Sequence, residues 1–171
     1  MSNLKEQIQK VKDQIMQACE LQPMVIMYGE KQATLAVFGD FPGEHSDKLR
    51  VMFEAGWEIG TNKATFGELK ECYFMSEAWL SRVDKDEKEP YQRPSLDPQR
   101  VEVVLINQLK NGKTKIATLE LKRDSSGKLT DLVEIPEMKQ SGVEVESPLL
   151  DAFVVGYNKA TPKPTRPMAT A

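Results

Sequence analysis

Histidine occurs once in this chain, at His45, and cysteine twice, at Cys19 and Cys72. A single imidazole excludes the two-histidine metal patterns. The thiols have no paired or metal-binding spacing, one on a predicted helix face and one in a predicted strand. A disulfide framework is therefore excluded, and a reducing cytosol is expected. No stretch approaches the roughly 20 apolar residues of a membrane span. The start, MSNLKEQIQKVKDQ, lacks the apolar centre of a signal peptide. These absences predict a cytoplasmic protein with no membrane segment. Positive charge is not in excess either: 23 Lys and Arg against 26 Asp and Glu give a net charge of −3. Electrostatic capture of nucleic acid is not favoured. There is no G-x-S-x-G elbow, glycine-rich dinucleotide fingerprint or phosphate loop, and no cofactor is expected.

What is present reads as a globular α+β chain: 171 residues, 40% hydrophobic and 29% charged. That length suits one domain, placed at residues 1–160. A first helix is predicted over 3–21. Asn3 and Glu6 form a capping pair, and Leu4, Ile8, Val11, Ile15 and Ala18 make one apolar stripe. The stripe either packs on the domain's own sheet or serves self-association. Residues 24–29 and 33–38 read as strands of a hairpin turning at 29–32. A second helix is predicted from Asp47 to about Ile59. "NKAT" follows it at 62–65 and recurs at 158–161, where each Asn is expected to close a helix in the left-handed conformation.

Residues 69–83, rich in aromatics, read as a strand. Residues 84–99 are charged, contain three prolines and read as a long exposed loop. Two further strands flank Asn111-Gly112, the strongest hairpin signal in the chain. Residues 124–128 read as a turn into a last strand, 129–135. Ser147-Pro148 opens a final helix. The tail, 161–171, has little to bury and is expected to be disordered. The order is α-β-β-α-β-β-β-β-α. It predicts a mainly antiparallel sheet of about five to six strands with three helices packed on it. This element order resembles that of the profilin-like and roadblock-type α+β modules. That resemblance implies a dimerising or scaffolding role.

Candidate chemistry falls in four places. FGDFPGEHSD offers Asp40, Glu44, His45 and Asp47, residue types that can hold a divalent ion, and His45 can also serve as a catalytic acid or base. The same acids suit a helix N-terminus, with Ser46 or Asp47 capping it. Glu77 is predicted on one strand face with Met75 and Trp79, where burial would raise its pKa for general acid work. Glu120 and Lys122 form an E-x-K that resembles the PD-(D/E)xK nucleases, in which carboxylates bind a metal and lysine assists the attacking water. A two-residue turn at Asn111-Gly112 makes paired positions sum to 223, so Glu102 should face away from both. Tyr91, Arg93, Asp97 and Arg100, in or beside the long loop, are residue types favoured at interfaces. The leading expectation is a binding or scaffolding protein acting through contacts with a protein partner or, as a homodimer, with its own copy, made by the N-terminal helix, the 84–99 loop or both. The alternative is a metal-assisted hydrolase or nuclease.

Overall fold

A computed structural model describes residues 3–18, 20–80, 98, 100–135 and 147–162. In chain order its elements are α1 (Leu4–Ala18), β1 (Met24–Gly29), β2 (Ala33–Val37), α2 (His45–Gly60) and α3 (Lys63–Phe66). They continue with β3 (Leu69–Leu80), β4 (Val101–Lys110), β5 (Lys113–Arg123), β6 (Leu129–Glu134) and α4 (Pro148–Lys159). The strands form one six-stranded sheet in the order β2-β1-β3-β4-β5-β6. Every neighbouring pair is antiparallel. The α+β expectation holds, with α3 as an addition that four residues without periodicity could not announce.

The hairpin signals act as their chemistry requires. Asn111 and Gly112 adopt φ of 53° and 70°, the left-handed pair of a two-residue turn. Lys110 therefore pairs with Lys113 and Val103 with Glu120, both summing to 223. At the next turn the Asp124 carboxylate accepts the Ser126 and Lys128 amides, and Gly127 takes φ 85°.

The helices cover both faces of the sheet. Alternation along β3 turns Tyr73 and Met75 one way and Cys72 and Phe74 the other. Tyr73 and Met75 join Val11 and Ile15 of α1, Val104 and Ile106 of β4, and Leu119 of β5. Leu4 and Ile8 pack on the same cluster. Leu4, Ile8, Val11 and Ile15 of the α1 stripe thus pack on the chain's own sheet, while Ala18 is exposed. Cys72 and Phe74 join Met27 of β1, Met52 of α2, and Leu150, Phe153 and Tyr157 of α4. On that side α2 and α4 approach to backbone contact. A Cβ placed on Gly56 would lie 2.0 Å from the Phe153 carbonyl oxygen, and one on Gly156 would lie 2.1 Å from that of Phe53.

Three local expectations need correction. α2 starts at His45, two residues early, because Glu44 already has the extended geometry of an N-cap. Its side chain makes no cap bond, and Asp47 instead pairs with Arg50 at 3.5 Å. Ser147 is the N-cap of α4, with proline following as expected, yet it too makes no side-chain cap bond. Neither NKAT closes a helix with a left-handed Asn. Asn62 has φ −111° and opens α3, while Asn158 and Lys159 lie inside α4. The two copies meet instead. Lys63 Nζ donates to the carbonyls of Asn158 (2.7 Å) and Ala160 (3.2 Å) and sits 5.7 Å from the Tyr157 ring. A cation at these last carbonyls satisfies acceptors that a helix end leaves open.

The loop expected over 84–99 lies outside the described residues except for position 98, and so does the tail from 163 onward.

Candidate functional site

The two edges of the sheet differ in chemistry. At one end, β2 reads ATLAV, with no charge, no proline and an unbroken register against β1. At the other, β6 exposes Val133 between Asp131 and Glu134, and its pairing with β5 shifts at Lys122/Arg123. Charges and bulges are how sheet edges are protected from further pairing. β6 has both and β2 has neither.

The ladder fixes which way the backbone of β2 points. Gly29 N–H donates to the Gln32 carbonyl and Phe38 N–H to that of Pro23. Hydrogen-bonded pairs alternate in an antiparallel ladder, so Thr34 and Ala36 bond to β1. Ala33, Leu35 and Val37 turn their N–H and C=O groups outward, where no described strand lies. The side chains of Leu35 and Val37 are 55% and 48% exposed. With Met24, Ala18, Gln14 and Glu20 they line a groove of about 320 Å³ between β2 and the C-terminal part of α1. The last turn of α1 has no basic residue, so its negative dipole end and Glu20 leave this rim acidic.

The residues singled out in the sequence are distributed as follows. His45 and Glu44 are exposed at the start of α2, on the side where Phe41 packs against Phe74 at 5.6 Å. Glu77 lies on the α1 side, its Oε1 accepting Leu21 N–H at 3.0 Å. The sheet therefore stands between Glu77 and the Asp40–Asp47 stretch. Among the described residues no three His, Cys, Asp or Glu side chains are grouped to hold a metal ion. Glu120 and Lys122 do come together, as an ion pair of 3.0 Å. Glu102 is on the other face, bonded to Arg123 by two hydrogen bonds of 2.8 and 2.9 Å. The Arg100 guanidinium stacks over Trp79 at 4.5 Å. Tyr91, Arg93 and Asp97 lie outside the described residues.

Glu77 has a pH signature. Burial against the chain after α1 raises its pKa; the Leu21 amide opposes this, while the charges of Glu102 and Glu20 add to it. An acid whose folded-state pKa is raised favours folding most below its unfolded pKa, about 4.3, and loses that contribution as pH rises through the folded value. Glu77→Gln cannot ionise and keeps an acceptor for Leu21. Its melting temperature relative to the parent should climb between about pH 4 and pH 7. A difference that stays flat or falls over that range would show that Glu77 is not desolvated.

A second feature was not anticipated. On the α1 side, fully buried Glu71 accepts hydrogen bonds at Oε1 from Tyr73 OH and from Gln108 Nε2. Gln108 Nε2 also donates to Tyr73 OH at 2.9 Å. Tyr28 meets Tyr73 edge-on at 6.1 Å, and Gln7 Nε2 of α1 donates to Tyr28 OH. Glu71 Oε2 is buried and has no hydrogen-bond partner among the described residues. Burial, with the bond to Glu71, pushes the Tyr73 hydroxyl well above its usual pKa, so it remains a donor. One clue was legible: Glu71 shares strand parity with Tyr73 and Met75, an acid on an apolar face. Cys72, of opposite parity, is buried, which pushes its thiol up to about 12. At neutral pH it is packing, not a nucleophile.

No protein-family model, curated protein or solved structure matches this chain.

Proposed function

We propose that this chain is a protein-binding module whose docking edge is β2, and that the occupant of that edge is a second copy of the chain. The observation that carries the reading is the contrast between the protected edge at β6 and the uncharged, unbroken edge at β2. Antiparallel pairing about Leu35 sets 33 opposite 37, 35 opposite 35 and 37 opposite 33. These are the positions whose backbone groups point outward, so each pair exchanges two hydrogen bonds. Leu35 and Val37 of both copies then form one apolar strip on the α1 side. The strand carries no charge, so nothing in it repels its own copy. A five-residue edge is a small contact, at the low end of stable interfaces, and predicts a dimer in exchange with monomer.

Sedimentation equilibrium tests this. The mass should rise with concentration from 19.3 kDa towards twice that value. Leu35→Lys with Val37→Lys places like charges in the pairing and should weaken association at least tenfold, about 1.4 kcal/mol. A monomeric mass at every concentration, or a dimer indifferent to both lysines, would remove the proposal.

A further inference from the structure

Four lysines meet where α1 begins. Lys110 and Lys113 stand directly opposite each other across the turn, and Lys115 stands opposite Gln108. Alternation turns 108, 110, 113 and 115 to the face that α1 covers. Lys5, from the first turn of α1, joins them. With Asn3 and Gln108 these lysines line a cleft of about 500 Å³ to which no carboxylate of the described residues contributes.

Like charges directly opposite in an antiparallel pair destabilise it, and among the described residues no acid forms an ion pair with either lysine. Between described residues, ion pairs form at Arg50, Lys70, Lys122 and Arg123. None of the four cleft lysines makes one. The nearest opposing acid along the ladder is Glu71, opposite Lys110. It is fully buried, and its Oε1 accepts from Tyr73 and Gln108. At the helix start, Glu6 N–H is taken by Asn3 Oδ1 and Gln7 N–H by the Asn3 carbonyl. The amides of Leu4 and Lys5 complete the first turn and suit an anion there.

We infer that this cleft binds a compact polyanion of the phosphoanhydride class, of which inorganic pyrophosphate is the simplest member. Several negative charges are needed to answer four lysines spread around a hairpin and a helix end. The ligand is compact because the chain as a whole carries −3, which repels an extended polyanion beyond the cleft. The volume is that of a small-molecule site. A bound anion turns the Lys110–Lys113 repulsion into attraction, so binding should also stabilise the hairpin. The inference does not depend on pairing at β2.

Titration calorimetry with inorganic pyrophosphate, on the full chain at low and at moderate salt, tests it. Saturable binding is expected, and it should weaken about tenfold for each of Lys110→Gln and Lys113→Gln. Lys110→Glu with Lys113→Glu should abolish it. Lys70→Glu, a change at an exposed lysine outside the cleft, should leave it intact. All of these positions are at the surface, and far-UV dichroism verifies that the variants fold. No saturable binding at low salt, or binding that survives the double reversal, overturns the inference. So does a loss of equal size in Lys70→Glu. A single-stranded oligonucleotide that binds more tightly than pyrophosphate overturns the compact ligand.

Discussion

Gly156→Ala should destabilise the protein by about 3 kcal/mol, near the upper end of what overpacking a tight interior costs. Alanine ordinarily gains up to about 1 kcal/mol over glycine inside a helix. Here the new methyl would lie 2.1 Å from the Phe53 carbonyl oxygen. That obstacle is backbone within a helix, not a side chain that can rotate away. Gly56→Ala should behave the same way, since its methyl meets the Phe153 carbonyl at 2.0 Å. The two contacts are reciprocal, and pushing α2 from α4 relieves both. The double variant should therefore fall short of the summed single effects. Gly43→Ala, where nothing lies within 4 Å, should be close to neutral. Urea unfolding of the four variants beside the parent reads all of this. Equal stability of Gly43→Ala and Gly156→Ala would mean that α2 and α4 do not touch as described.

The second large effect concerns the polar cluster on the α1 side. Tyr73→Phe and Gln108→Leu each remove one donor from the fully buried Glu71. Leaving a buried acceptor short of a donor costs about 1–3 kcal/mol, and a loss of about 2 kcal/mol is expected for each. Replacing the whole set, as Glu71→Leu, Tyr73→Phe and Gln108→Leu together, should recover most of that loss. An apolar replacement removes the donors and the acceptor of this set together, and such exchanges are often neutral or stabilising. Denaturation midpoints at one pH decide it. A triple variant weaker than the sum of the single changes would show that the cluster is a net source of stability.

Elements whose signal is local were readable in advance. Asn111-Gly112 fixed a register to the residue, because its turn needs positive φ at two positions and few residue pairs accept that. The α1 stripe was legible from spacing, and Leu4, Ile8, Val11 and Ile15 do pack on the sheet. The glycines of α2 and α4 were not legible. Inside a helix a glycine reads as weakness, and its purpose exists only when the other backbone is beside it. Glu71 was hidden for a related reason, since strand parity placed it on a face but could not supply Gln108 from another strand. The paired NKAT stretches were misread because their link, Lys63 reaching the last carbonyls of α4, joins residues far apart in sequence. Among the proposed chemical groups, the E-x-K pair was local and did come together. The acidic stretch and Glu77 depended on a convergence that the intervening sheet prevents.

The cluster around Glu71 also bears on how β3 finds its place. From Glu71 to Met75 five consecutive residues are buried, so the usual inside–outside contrast is missing there. Slipping the strand by one position would exchange one oily set for another with little exposure to water. Glu71 is the exception. A slip would carry its carboxyl to the opposite side, among Met27, Met52 and Phe153, away from the amide of Gln108. The acid thus acts as a key that fits one lock, discriminating between alignments that greasy contacts alone would leave nearly equal.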